Sequence, residues 1–252
     1  MTSPLSVDDL KVKIFADGAD LDSMLDLAAN PRIKGFTTNP TLMRKAGIDD
    51  YSSFARRVLD KITNRPISFE VFADEFDDMH AQALEIASWG TNVNVKIPIT
   101  NTRGESSAPL VADLSRQGVV VNVTAMFTLE QVRSIVDVLD AQTPAILSIF
   151  AGRIADAGRD PVPVMRDALE IMRARPNSEL IWASPRELLN IVQAHEIGCH
   201  IITVTHDILK KLPTIGKSME QFSLETVKMF HQDAGAAGYA IATAPAESAA
   251  GC

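Results

Sequence analysis

Val93-Asn94-Val95-Lys96-Ile97-Pro98-Ile99-Thr100 is the stretch on which the fold turns. Val and Ile fill it and a proline closes it, so it reads as a buried β-strand with a lysine at its centre. Burial disfavours an ammonium, so Lys96 needs a counter-charge or must become less basic. A less basic lysine attacks carbonyls and forms a Schiff base. The plainer alternative is a strand-end lysine whose stem lies on apolar surface while its head reaches water. The surrounding chain decides between them.

Strand-like and helix-like stretches alternate around it. The expected strands are 12–18, 33–39, 67–73, 93–100, 119–125, 145–152, 179–184 and 200–204. Helical patterns lie between them, for example over 49–62, 74–89, 128–141, 161–174 and 185–195. Thr128 precedes Leu129-Glu130-Gln131 with capping-box spacing, and Pro185 suits a first helical turn. Eight β-then-α units favour a parallel sheet covered on its outside, most simply an α/β (β/α)8 TIM barrel. A doubly wound open sheet is the fallback, but no glycine-rich fingerprint follows the first strand.

Within each strand one parity is apolar and the other carries polar residues. Val93, Val95 and Ile97 oppose Asn94, Lys96 and Pro98. Ser68 and Glu70 share a parity in the third strand, Asn122 and Thr124 in the fifth, Ser148 and Phe150 in the sixth. In a barrel the apolar parity faces the helices and the polar one the axis. A half-exposed antiparallel sheet would also alternate, but its solvent face would carry long charged side chains rather than Asn, Thr and Ser. Asp17, Asn39 and Ser184 fall near C-terminal strand ends, where barrel enzymes place their active sites. Lys96 then shares a cavity with two carboxylates, Asp17 and Glu70, groups suited to moving protons around a Schiff base. Spacing alone assigns neither carboxylate a role.

Composition narrows the rest. The 252 residues carry a net charge of −8, giving no overall attraction to nucleic acid or anionic lipid. No apolar run is long enough to span a membrane, and the N-terminus has no signal-peptide core. Cys199 and Cys252 have no metal-ligand spacing, and a reducing cytoplasm is the expected home. The five histidines form no metal-binding pattern, so solvated or satisfied roles are expected for them. Gly152-Arg153-Ile154 and Ser184-Pro185-Arg186 follow strands six and seven. A guanidinium, a hydroxyl and a helix starting at Pro185 would suit a phosphate there, although surface arginines capping loops would look the same. One barrel domain is expected over residues 1–240, including a further helix over 224–233, with a disordered tail over 241–252.

Five motifs in register give this pattern a likeness. Gly35-Phe36-Thr37-Thr38-Asn39-Pro40-Thr41 resembles the signature turn of the transaldolase family, and Val95-Lys96-Ile97-Pro98 its Schiff-base strand. Phe69-Glu70-Val71, Asn122-Val123-Thr124 and Ser148-Ile149-Phe150-Ala151-Gly152-Arg153 are similar to further family motifs, in the same order. The resemblance runs from about Val12 to Asp233 and implies a class I aldolase barrel with no metal and no organic cofactor.

By that resemblance, Lys96 forms the imine and Asp17 handles the proton at the cleaved bond, while Glu70 and Thr124 hold a proton-shuttling water. Thr37, Asn39, Asn122, Ser148 and Phe150 would contact substrate, with Arg153 and Ser184 at its phosphate. The family usually follows the strand-seven serine with Phe and a basic residue; here Pro185-Arg186 follows, so Arg186 is the candidate second phosphate contact. Implied partners are small-molecule sugar phosphates and further copies of the chain, not nucleic acid or membrane.

Transfer of a dihydroxyacetone unit between sugar phosphates is the expected reaction. The sister fructose 6-phosphate aldolases, which release free dihydroxyacetone, usually carry Gln and Tyr where Glu70 and Phe150 stand. A non-catalytic phosphate-binding barrel is the remaining alternative, and has no use for a buried lysine beside two carboxylates.

Overall fold

A computed structural model describes residues 5–243; the last nine positions of the expected tail, Cys252 among them, lie outside the described residues. Eight parallel strands close into a barrel in sequence order. They are β1 (Lys13–Asp17), β2 (Ile33–Thr37), β3 (Ile67–Glu70), β4 (Val93–Pro98), β5 (Val121–Met126), β6 (Ala145–Ile149), β7 (Ser178–Trp182) and β8 (Ile201–Thr205). The connecting helices are α1 (Leu21–Ala28), α2 (Pro40–Lys45), α3 (Tyr51–Lys61), α4 (Phe76–Ser88), α5 (Ala108–Arg116) and α6 (Leu129–Val136). They continue with α7 (Ala151–Asp156), α8 (Pro161–Met172), α9 (Leu189–Glu196) and α10 (His206–Leu209). The fold is therefore the (β/α)8 barrel. Closure leaves no edge strand, which explains why short strands of four to six residues suffice.

Two compact units emerge from the contacts, one spanning Asp8–Pro213 and holding the barrel, the other taking in the described residues 5–7 and 214–243. The second contains α11 (Met219–Ala236), which includes the expected helix over 224–233. Ser218 caps it by accepting from the Gln221 N–H, yet none of its residues is buried, and Phe222, Val227 and Phe230 are exposed.

Local chemistry sets the element ends. Asp20, Asn39, Asp50, Thr128 and Asp160 each cap a helix with a side-chain oxygen, and Thr128 and Gln131 form the reciprocal capping box. Most elements are shorter than the sequence reading: the third strand ends at Glu70 rather than 73 and α6 at Val136 rather than 141. Two further differences fall at the cavity. The sixth strand stops at Ile149 and α7 begins at Ala151, so Gly152 and Arg153 are helical. Pro185 does not start a helix: α9 begins at Leu189. Ser184 has φ +55°, and the Asn190 side-chain oxygen accepts from the Arg186 and Glu187 N–H groups at 2.8 and 3.2 Å. Those bonds hold 184–188 as a separate turn and postpone the helix.

Inside the barrel the two halves differ. Phe15, Ile146, Ile181, Ala183 and Ile201 form an apolar cluster contributed by β1, β6, β7 and β8. Gly35 makes room for it: a Cβ there would lie 2.5 Å from the Phe15 ring. From β3 to β6 the buried polar residues of the interior are Ser68, Asn94, Lys96, Asn122, Thr124 and Ser148.

Candidate active site

Register places the reactive groups side by side. Glu70 pairs with Lys96 across β3 and β4, and Lys96 with Asn122 across β4 and β5. Parallel neighbours lie under 5 Å apart, so their like-facing side chains touch. Lys96 Nζ donates to Glu70 Oε2 at 2.9 Å and to the Thr38 carbonyl oxygen at 2.8 Å. Both side chains of this ion pair are nearly enclosed, at 8% and 17% exposure. The counter-charge demanded by a buried lysine is thus Glu70, and removing one partner would strand the other. Two of the three ammonium N–H bonds are used; the third is left for the cavity.

Asp17 sits on the other side. Its carboxylate accepts from Thr37 Oγ1 at 2.7 Å and from Asn39 Nδ2 at 3.3 Å. Burial pushes the Asp17 carboxyl above the ordinary aspartate value, and the Lys96 charge and these two hydrogen bonds only partly offset it. Thr37 Oγ1 is 2.5 Å from Thr203 Oγ1. Since Thr37 spends its one proton on Asp17, Thr203 must be the donor in that pair.

A third group forms the floor. Ser148 donates to Asn122 Oδ1 at 2.7 Å, and Asn122 Nδ2 donates to Ser68 Oγ at 3.1 Å. Thr124 Oγ1, also buried, has no hydrogen-bond partner among the described residues. Because Thr124 lines the cavity, its hydroxyl is free to bond whatever enters.

These groups surround one cavity of about 370 Å³ at the C-terminal ends of the strands. Of the residues singled out by sequence, Asp17, Thr37, Asn39, Glu70, Lys96, Thr124, Ser148, Phe150, Arg153 and Ser184 line it. Asn122 lies just beneath, bonded to Ser148. Arg186 is not in the lining; it forms a two-pronged ion pair with Asp156, whose carboxyl it holds below the usual range. Arg153 makes no ion pair among the described residues, and its guanidinium carbon lies 5.2 Å from the Phe150 ring centre. Gly152 brings Arg153 and Ser184 to the same wall. A Cβ on Gly152 would fall 1.5 Å from the Ser184 carbonyl oxygen, so only glycine permits this approach.

Sequence reasoning passed over Thr203, which also lines the cavity; as a polar residue two positions after Ile201 on β8, it carried a readable signal. The Thr38 carbonyl carried none, because a backbone acceptor has no residue-type signature. Three of the five histidines take partners away from the cavity. His195 accepts from Lys11 N–H, His200 from Leu180 N–H, and His80 pairs with Asp113. Among the described residues no group of three His, Cys, Asp or Glu is arranged to hold a metal ion, and no helix is long and apolar enough to cross a membrane.

Known proteins resemble this chain over most of its length. The family described as Transaldolase/Fructose-6-phosphate aldolase matches residues 14–241. A protein of Dehalococcoides mccartyi named probable transaldolase is 33% identical over 202 residues, covering 80% of this chain and 90% of that one. One of the same name from Thermoanaerobacter sp. is 32% identical over 216 residues, covering 84% and 95%. A third, from Streptococcus agalactiae, is 33% identical over 215 residues with the same coverage. With the match running from the first strand of the barrel past the last, the chain belongs to the transaldolase/fructose-6-phosphate aldolase family.

Proposed function

We propose that the protein is a transaldolase that moves a dihydroxyacetone unit from a ketose phosphate, such as fructose 6-phosphate or sedoheptulose 7-phosphate, to an aldose phosphate. The observation that carries this is the enclosed Lys96–Glu70 pair facing Asp17 across one cavity, with the unpaired Arg153 guanidinium on its wall. Lys96, once neutral, adds to the ketone carbonyl, and loss of water gives an iminium. Asp17 then takes the proton of the hydroxyl on the far carbon of the breaking C–C bond. That oxygen becomes the leaving aldehyde, and the electron pair of the broken bond enters the iminium as an enamine. An aspartate made more basic by burial suits that proton transfer. Glu70 and Thr124 hold the water that shuttles protons in forming and hydrolysing the imine. Arg153 and Ser184 bind the phosphate, while Arg186, engaged by Asp156, braces the turn that carries Ser184.

Phe150 on the cavity wall, with no hydroxyl to deliver a proton to the enamine, favours transfer over release of free dihydroxyacetone. The test is intact mass after borohydride reduction in the presence of fructose 6-phosphate, with parallel assays for free dihydroxyacetone and for transfer to an added aldose phosphate. An adduct with transfer outrunning release is expected. No adduct would return the protein to a phosphate-binding role, and release as fast as transfer would make it an aldolase.

A further inference from the structure

Tyr51 belongs to α3, outside the barrel, yet its hydroxyl touches the strand that carries Glu70. It accepts from the Glu70 N–H at 2.6 Å and donates to the Glu70 carbonyl oxygen at 3.1 Å. Strand geometry explains why those two groups need it. Successive residues along β3 send their N–H and C=O to alternate neighbours, and Val71 N–H already reaches the Lys96 carbonyl on β4 at 3.2 Å. The N–H and C=O of Glu70 therefore face β2. But β2 pairs with β3 only through Phe36 and Thr37, and the last link is Thr38 N–H to the Ser68 carbonyl at 3.2 Å. Beyond it, Asn39 turns away to cap α2. Glu70 would be left with a donor and an acceptor facing a strand that has ended. The phenol stands in for the missing peptide, serving both with one oxygen.

We propose that Tyr51 is a positioning residue of the imine site, holding the Glu70 peptide so that its carboxylate stays against Lys96. The proposal rests on the imine chemistry proposed above. Burial pushes the Tyr51 phenol well above its usual value, so its proton stays in place to bind the Glu70 carbonyl. The ring is fixed on three sides, with centroids 4.6 Å from Phe72, 5.7 Å from Trp89 and 6.1 Å from Phe69. A side chain held that firmly transmits position rather than absorbing it. Deleting the hydroxyl leaves two backbone groups without partners, and the strand end must shift to find others. Glu70 sits on that end, and its partner Lys96 does not move with it.

The test compares Tyr51→Phe in the wild-type and Glu70→Gln backgrounds, with Trp89→Phe as a packing control. Borohydride-trapped adduct and steady-state kinetics with fructose 6-phosphate are the readouts. In the wild-type background Tyr51→Phe should lower kcat about tenfold and change KM less than about twofold. In Glu70→Gln, where the carboxylate is already gone, the same substitution should cost less than about twofold. Trp89→Phe, which disturbs the same aromatic cluster without removing the hydroxyl, should also change kcat less than about twofold.

An equal loss in both backgrounds overturns the proposal, as does a wild-type kcat for Tyr51→Phe or a matching loss for Trp89→Phe. If Tyr51→Phe does not fold, 3-fluorotyrosine at both tyrosines of the chain keeps ring and hydroxyl. Trapping Lys96 should then displace the ¹⁹F signal of Tyr51 but not that of exposed Tyr239, and an unmoved Tyr51 signal overturns the proposal. A wild type that forms no adduct removes the imine reading and this proposal together. A Tyr51→Phe variant that traps at the wild-type rate removes this proposal alone.

Discussion

The two halves of the barrel interior solve the same packing problem by opposite means. Along β1, β6, β7 and β8, on the N-terminal side of Asp17, Ser148 and Thr203, the axis is filled by Phe15, Ile146, Ile181 and Ile201, joined by Ala183 just after β7, all of which need only fit. Along β3 to β6 it is filled by Ser68, Glu70, Lys96, Asn122 and Ser148, which must each find a partner and do so mostly in one another. Dispersion and water exclusion hold the first half; directional bonds hold the second. An apolar side chain can be trimmed at a graded cost, whereas a polar network loses its geometry when one member goes. The halves should therefore fail differently, one in stability and the other in chemistry.

The largest effect expected is on Lys96→Ala, which should abolish both borohydride trapping and turnover. Lys13→Ala should retain both, because Lys13 ends in a half-exposed ion pair with Glu179. Trapping that persists in Lys96→Ala would assign the chemistry to another amine. Ile181→Ala, in the apolar half, should cost about 2–5 kcal/mol of stability by denaturant titration. It should still form the adduct. Loss of adduct in a folded Ile181→Ala would erase the distinction between the halves.

At the rim, Arg153→Gln should lower kcat/KM for phosphorylated sugars by roughly 2–4 kcal/mol, with far less effect on unphosphorylated ones. Equal losses for both would give Arg153 a structural job against Phe150.

The smallest effect concerns Asp17 and pH. Its carboxyl is raised in the folded state by burial, so the folded protein keeps that proton to higher pH than the unfolded chain, whose aspartates titrate near about 3.9. Between those two values the native state binds more protons, and stability falls as pH rises. Asp17→Asn lacks this loss. Thr37 and Thr203 can both reverse their hydroxyls to accept the new amide, so the network survives. Denaturant titrations should show the variant gaining on wild type as pH climbs from about 4, then a constant gap. A gap that shrinks over that range would remove burial as the cause.

The polar half was the more legible of the two in the sequence. Asn, Ser, Thr and a lysine at alternate positions of Val-rich strands have few explanations besides an inward-facing cavity, and the register confirms that they share one side. The apolar half could not be told from the helix-facing layer by parity, since both are Val, Ile and Leu. The helix start marked by the capping box at Thr128 was visible. The start of α9 was not. Pro185 follows a serine in the left-handed region, and the bond that delays the helix comes from Asn190, five residues further on. Arg186 was chosen as a phosphate contact by its position after β7. Its engagement by Asp156, thirty residues earlier, is a long-range pairing that spacing does not encode.

Half of what restrains Lys96 is a main-chain oxygen, that of Thr38, and this has a consequence for how the protein can change. No codon change deletes a carbonyl. Random mutagenesis can exchange Glu70 for another residue and so retune the surroundings of the amine, but the Thr38 anchor survives whatever side chain stands there. Lineages or libraries that diverge in reaction type should accordingly vary the carboxylate first and keep the lysine where it is. The site is genetically soft on one flank and fixed on the other.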